Sequence, residues 1–189
     1  MFLRINLIIL SLLMSACSTT TVHNIKKSQV LKNNEGVLLT NFQVKHDFTL
    51  GFKNTSGEII YADVIRGKNN QALVAVNIPA GKYKVKKLNF NKNEHTYFDK
   101  SEYKFSIKPG KVNYICDFVA DFKKKAVSEK DLSFEVLIPI YLQNKTVKKF
   151  KKQYPMVSKN YPFVSSLASQ CISAKSKKAQ LLLSLLKKK

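Results

Sequence analysis

From Gly36 to Pro139 the chain is a succession of short runs rich in Val, Ile, Phe, Tyr and Thr, separated by turn-forming clusters. The spacing, roughly eight to twelve residues from one turn to the next, is that of antiparallel all-β domains and leaves no stretch for a long helix. The runs are Val37 to Val44, Phe48 to Lys53, Glu58 to Arg66, Ala72 to Ile78, Tyr83 to Phe90, Tyr103 to Ile107, Val112 to Phe118 and Leu132 to Ile138. Their separators, Asn54-Thr55-Ser56-Gly57, Gly67-Lys68-Asn69-Asn70, Pro79-Ala80-Gly81-Lys82 and Lys108-Pro109-Gly110-Lys111, hold residues that preset or tolerate turn dihedrals. The expected fold is therefore mainly β: an antiparallel β-sandwich of about seven or eight strands over residues 36–138, with both proline-glycine turns as hairpin connections.

Alternation within the runs predicts which side chains face inward. Tyr103, Phe105 and Ile107 alternate with Lys104, Ser106 and Lys108. Val112, Tyr114, Cys116 and Phe118 form a second inner set, and Leu132, Phe134, Val136 and Ile138 a third. In Tyr83, Val85, Leu88 and Phe90 the period slips at Lys86-Lys87, which predicts a bulge or an edge strand guarded by lysines.

After Pro139 the pattern changes. Leu142, Val147, Phe150 and Tyr154 share one helical face, with Lys148, Lys149, Lys151 and Lys152 opposite and Pro155 ending the helix. One or two short C-terminal helices are expected, with residues 139–174 packed on the sandwich. Tyr154-Pro155-Met156-Val157 and Tyr161-Pro162-Phe163-Val164 echo one another, and their prolines imply extended or turn geometry. Residues 175–189 form a basic amphipathic tail. On a helix, Leu181, Leu182, Leu183, Leu185 and Leu186 would cover a broad apolar arc, so Leu181, Leu182, Leu185 and Leu186 are candidate contacts with a membrane or a partner.

The first sixteen residues read differently. Arg4 precedes a largely apolar run from Ile5 to Leu13, followed by Met14-Ser15-Ala16-Cys17. About a dozen residues rising ~1.5 Å each fall well short of the ~30 Å hydrocarbon layer, as expected of a cleaved export signal rather than a spanning helix. Two small residues before the cysteine, with Leu13 and Met14 upstream, resemble the lipobox of bacterial lipoproteins. The resemblance implies that Cys17 takes a diacylglyceryl group and becomes the new N-terminus. It further implies a lipid-anchored protein of the cell envelope, and Ser18, not being Asp, implies the outer membrane if the cell is Gram-negative. Residues 17–35, rich in Ser, Thr, Asn and Lys, are expected to be a tether.

A second resemblance covers residues 36–138. Ile78-Pro79-Ala80-Gly81-Lys82-Tyr83-Lys84-Val85, then Phe105 to Lys111 and Val112-Asn113-Tyr114-Ile115-Cys116-Asp117-Phe118, resemble uncharacterised bacterial lipoproteins with a transthyretin-like or carboxypeptidase-regulatory-like β-sandwich. In such domains a Pro-Gly turn launches G-x-Y-x-V, and a later strand reads Y-I-G-D. Cys116 occupies the glycine position of that second motif. The resemblance implies a fold, not an activity.

Charge narrows the partners. The formal balance is 33 basic against 12 acidic residues, a net +21, and only Arg4 and Arg66 are arginines. Base and phosphate forks favour arginine, so nucleic acid is not the expected partner. A lysine excess fits either a solvated coat or attraction to anionic envelope components. With Cys17 acylated, Cys116 and Cys171 remain as an even pair in an oxidising compartment, a candidate disulfide.

Catalytic sets are sparse. His23, His46 and His95 lack ligand-spaced partners, and there is no H-E-x-x-H, G-x-S-x-G or phosphate-cradling glycine loop. Ser101-Glu102-Tyr103-Lys104 satisfies S-x-x-K without its S-D-N and K-T-G companions. Asp117 and Asp121 are two carboxylates that could approach one another at a strand end. No cofactor, metal or catalytic residue is therefore expected. The leading expectation is a non-catalytic binding or scaffolding module, held to a membrane by its N-terminal lipid and touching anionic components or another envelope protein. The alternatives are a subunit of an envelope or secretion assembly and, third, a peptidoglycan-active or other hydrolase.

Overall fold

A computed structural model describes residues 19–44, 46–91, 94–97, 103–124, 132–166, 171–177, 179–181 and 184. The chain is mainly β, with two six-stranded sheets packed face to face and short helices covering one of them. In chain order the strands are β1 (Thr19–Val22), β2 (Glu35–Gln43), β3 (Phe48–Asn54), β4 (Ile59–Val64), β5 (Gln71–Pro79) and β6 (Gly81–Asn91). They continue with β7 (Glu94–Tyr97), β8 (Lys104–Ile107), β9 (Val112–Lys124), β10 (Leu132–Tyr141), β11 (Phe163–Ser165) and β12 (Ile172–Ser173). Helices α1 (Gln143–Gln153) and α2 (Pro155–Asn160) lie between β10 and β11.

The first sheet runs β1-β4-β3-β6-β7, with β8 pairing β6; the second runs β12-β10-β9-β2-β5, with β11 pairing β9. All eight expected runs are strands, but the sheets are mixed rather than purely antiparallel. β1 lies parallel to β4, β2 and β11 to β9, and β12 to β10. Two expected hairpins are also absent. β5 belongs to the second sheet and β6 to the first, so Pro79-Ala80-Gly81 is a corner between sheets; Pro109-Gly110, between β8 and β9, is another. Turn chemistry specifies a reversal of the chain, and which sheet receives the next strand depends on where its apolar face finds cover.

The segment expected as a tether is partly built into the fold. Thr19–Val22 pairs with Ile59–Ala62, Asn24 bridges Val76, and Ile25 is buried, its amide donating to the Ala75 carbonyl at 2.8 Å. Its polar composition conceals an edge strand, for which alternate residues facing water are normal.

The inter-sheet core holds Leu38, Phe42, Leu50, Phe52, Val74, Val76, Val85, Leu88 and Phe118, among others. Phe105 and Ile107 join it, with Tyr103 packed at its margin, as their alternation predicts. The slip at Lys86 is a β-bulge: Gly51 pairs with Lys87 and Phe52 with Val85. It occurs in an interior strand, since β6 is flanked by β3 on one side and by β7 and β8 on the other.

The second expected inner set is corrected by another bulge. Leu39 pairs with Tyr114 and Thr40 with Cys116, so Ile115 is the extra residue and the facing changes there. Ile115, Cys116 and Phe118 enter the inter-sheet core, whereas Val112 and Tyr114 enter a second core with Val37, Leu39, Phe150, Tyr154 and Val157. The side chains of the third set, Leu132, Phe134, Val136 and Ile138, lie outside the described residues.

α1 closes this outer core. Phe150 is fully buried with Thr146 on the same face, and Val147 packs alongside. Pro155 ends α1 as expected, but it also starts α2: proline at the first helical position lacks only an N–H that has no intrahelical acceptor. The first Tyr-Pro segment is thus helical rather than extended, while Phe163–Ser165 after Pro162 is a strand. Among the described residues no helix is long and apolar enough to cross a membrane.

Cys116 and Cys171 are joined by a disulfide with Cα atoms 6.2 Å apart, closing a sequence separation of 55 residues. Chain-entropy reasoning gives roughly 4 kcal/mol for such a loop. Cys116 also has φ 146°, a backbone value that favours glycine. Thr40 Oγ1 donates to the Cys116 carbonyl at 2.6 Å and fixes this strained peptide from the neighbouring strand. In a Cys171→Ala background, Cys116→Gly should be more stable than Cys116→Ala by ~1 kcal/mol or more, because alanine keeps the strain and glycine relieves it. Urea unfolding of the two double variants measures the difference, and equal midpoints would remove the strain argument.

Candidate functional site

Two constellations stand out, one open and one buried. The open one is a groove of about 720 Å³ at one end of the sandwich. Lys53 and Asn54 come from the end of β3, Lys82 and Lys84 from the start of β6, Lys104 and Ser106 from β8, and Lys108 from the corner beyond it. Period-two geometry explains the set: Lys82 and Lys84 point away from the core that Tyr83 and Val85 enter, as do Lys104 and Ser106 beside Phe105 and Ile107. Tyr83 and Phe105 are paired across β6 and β8, with rings stacked 5.7 Å apart. The Tyr83 hydroxyl donates to the Pro79 carbonyl at 2.8 Å, and burial pushes its pKa up to about 12.

Register sharpens the charge pattern. Lys53 of β3 is the direct partner of Lys84 in β6, and Lys84 is the direct partner of Lys104 in β8. Three lysines therefore stand in a row across three adjacent strands, with facing Cβ atoms about 5 Å apart, an arrangement that disfavours the sheet unless an anion screens it. The carboxylates near this end already accept hydrogen bonds. Glu58 takes one from Asn54 at 3.1 Å, and Glu35 takes the Lys32 amide at 2.9 Å and Asn77 at 2.7 Å. For Glu35 burial acts to raise the pKa, but these donors outweigh it and the carboxyl is held below its ordinary value.

Asn113 fixes the groove's far wall. Fully buried in β9, it accepts the Lys108 amide at 2.8 Å and the Ser166 hydroxyl at 3.0 Å through Oδ1. Its Nδ2 donates to the Lys108 and Lys111 carbonyls, each at 3.0 Å. Gly36 passes so close that a Cβ there would lie 2.4 Å from the Lys108 carbonyl oxygen. Sequence reading overlooked Asn113, because a polar residue between Val112 and Tyr114 looks like an ordinary solvent-facing position. The available signal is the type: asparagine is depleted in strands and recurs where backbone turns need side-chain partners.

The buried constellation centres on Asp117. Thr146 of α1 donates to this carboxylate, with Oγ1 2.8 and 2.7 Å from its two oxygens. Burial pushes the Asp117 carboxyl up to about 7, against the lowering effects of Thr146, the Tyr114 hydroxyl and the charges of Lys149 and Lys145. Tyr114 is raised too, by its own burial and then by the Asp117 charge, and its hydroxyl accepts the Leu142 amide at 2.9 Å. Lys149 donates to Asn41 at 3.3 Å and to Gln71, and burial lowers its pKa. The network ties α1 to β9, β2 and β5.

The other expected residues are dispersed. Cys17, Leu182, Leu185 and Leu186 lie outside the described residues, as does Ser101, whose S-x-x-K partner Lys104 belongs to the lysine row. Leu181 is 62% exposed, while nearby Ala179 is buried against Val119 and Ile140. His23 Nδ1 lies 3.1 Å from the Asp63 carboxylate. Asp117 and Asp121 lie four residues apart on β9, about 13 Å along the strand at ~3.3 Å per residue. Among the described residues no cluster of three or more His, Cys, Asp or Glu side chains could hold a metal ion.

No protein-family model matches the chain, and no curated protein matches it at a significant level. A similar solved structure is described as "Putative cell adhesion protein from Parabacteroides distasonis ATCC 8503". The two share 11% identity at a TM-score of 0.30, and the match covers 56% of this chain and 40% of the other.

Two outcomes test the constellations. Asn113→Ala should destabilise the protein by roughly 2–3 kcal/mol, since the buried Lys108 and Lys111 groups lose their partner; a change below about 0.5 kcal/mol in denaturant titration would contradict this role. Asp117 has a folded pKa of about 7 against an ordinary 3.8, so between those values the folded state holds a proton that the unfolded state has released. Its contribution is full below about pH 4 and is lost as pH rises toward 7, at up to ~1.4 kcal/mol per unit. Asp117→Asn should remove that slope, measured as the wild-type-minus-variant difference in unfolding free energy at pH 5 and pH 8.

Proposed function

We propose that this chain is a lipid-anchored cell-envelope protein whose β-sandwich serves as a non-catalytic binding or scaffolding module. The observation that carries the reading is Leu13-Met14-Ser15-Ala16-Cys17 at the end of a short apolar leader. Its chemistry is specific: small residues admit a signal peptidase, and a free thiol at the next position accepts the diacylglyceryl group. Two or three acyl chains, at about 0.8 kcal/mol per buried CH2, hold a protein at a bilayer durably where one does not.

The folded portion is compatible with this placement. β1 begins at Thr19, so the anchored residue is followed almost at once by a strand registered at Ile59. A body attached that closely has its groove end near the bilayer surface. The lysine-rich groove offers a binding surface for anions, and the tightly hydrogen-bonded Asp117 serves as a structural clamp rather than a free acid or base.

The test is the mature N-terminus. Intact-mass and peptide analysis of the membrane fraction should find residues 1–16 gone and Cys17 carrying a diacylglyceryl group. Cys17→Ser should leave the leader attached and abolish incorporation of labelled palmitate. A wild-type chain that retains its initial methionine, or carries an unmodified Cys17, would overturn the proposal.

A further inference from the structure

From the register of the sheet we infer that the row Lys53, Lys84 and Lys104, with Lys82 and Lys108, is the face this chain lays on the anionic phosphate headgroups of the membrane holding Cys17. The inference rests on the anchoring proposed above and adds what that leaves open, namely which surface of the sandwich meets the bilayer.

Position is the first argument. β1 runs parallel to β4, so Thr19 lies beside Ile59, just after the β3–β4 turn at Asn54–Gly57. The same turn carries the Lys53 end of the lysine row, because β6 enters antiparallel to β3 with Tyr83 opposite Asn54. β8 leaves at the same end, with Ile107 opposite Gly81 and Lys108 immediately beyond. Cys17 is two residues before Thr19, so its Cα can lie at most about 7.6 Å from that of Thr19 at 3.8 Å per residue. The start of β1, two residues beyond Cys17 in the sequence, and the lysine row thus belong to one end of the molecule.

Charge is the second. Lys53, Lys84 and Lys104 face one another directly, and with Lys82 and Lys108 they outnumber the nearby carboxylate of Glu58, which accepts a hydrogen bond from the groove's Asn54. A row of like charges on adjacent strands is costly in isolation and favourable against a plane of negative charge, where each lysine gains independently. Lysine suits that partner better than a defined ligand does, since a solvated point charge needs no fixed phosphate geometry. Tyr83 and Phe105 stack on the inner side of the strands that carry the row, and Asn113 fixes Lys108 and Ser166 beside it.

The experiment is lysine footprinting of the full lipidated protein in vesicles with a water-soluble acylating reagent. On vesicles of phosphatidylglycerol and phosphatidylcholine at low salt, Lys53, Lys82, Lys84, Lys104 and Lys108 should react about 5-fold or more slowly than on phosphatidylcholine alone, and recover at high salt. Lys68, in the loop at the opposite end of β4, should react equally on both. The variant Lys53→Gln/Lys84→Gln/Lys104→Gln should stay anchored but lose the protection of Lys82 and Lys108. Equal reactivity of the five lysines on both vesicles, or equal protection of Lys68, would overturn the inference while leaving the anchor intact. Failure of the anchor itself would appear separately, as chains that do not float with either vesicle at high salt.

Discussion

The extra residue in β9 is the constraint on which the rest of this architecture depends. By pairing Leu39 with Tyr114 and Thr40 with Cys116, the bulge lets one strand serve two cores. Before it, Val112 and Tyr114 face the helical layer; after it, Cys116 and Phe118 face the opposing sheet. Without that exchange, Asp117 would be driven into the inter-sheet core instead of meeting Thr146, and Cys116 would face away from the core beside which Cys171 packs. The disulfide, the clamp under α1 and the continuity of both cores follow from one unpaired residue. The cost is local, at the positive φ of Cys116, and the Thr40 hydroxyl together with dense packing on both sides holds the strained peptide where it is.

The sequence made strand existence legible and left topology obscure, for different physical reasons. Period-two alternation is a property of each strand alone, so Phe105 and Ile107 could be assigned to the core without knowing their neighbours. The bulge at Lys86 was visible because two lysines in succession cannot both avoid a core under strict alternation. At Ile115-Cys116 the same event was hidden, since both residues are apolar and either register reads as hydrophobic. Turn residues likewise announce a reversal, while the choice between a hairpin and a corner depends on contacts far away in the chain. Parallel neighbours such as β2 and β9 are beyond local reading altogether, because some seventy residues of the other strands intervene.

The candidate groove was half legible. Each of its lysines could be placed on the outer face from alternation, and the excess of lysine over arginine fitted a solvated coat as well as anionic partners. What the sequence could not show is that Lys53, Lys84 and Lys104 come from three strands and stand in register. Residues separated by 31 and 20 positions become neighbours only through pairing. Asn113 escaped notice for a related reason: its partners are main-chain groups of a corner whose position depends on the same topology.

The two sheets differ in what covers them, and the distribution of charge follows. β2 is buried on both faces from Gly36 to Phe42, with the opposing sheet on one side and α1, α2 and Ile25 on the other. Its text is accordingly a nearly continuous apolar run, and the polar residues it does contain, Thr40 and Asn41, are committed to hydrogen bonds. β6 and β8 alternate lysine with aromatic or aliphatic residues because only one of their faces is covered. A covered lysine row would have to lose either its hydration or its charge, each at a cost of several kcal/mol. The fold therefore confines its like-charge row to the uncovered sheet and, where the helices close over the other, ties Asp117, Lys149 and Asn41 into hydrogen bonds. This asymmetry gives the sandwich an inside layer, a clamped back and one open basic face, and it is the open face that shares an end with the first residue of β1.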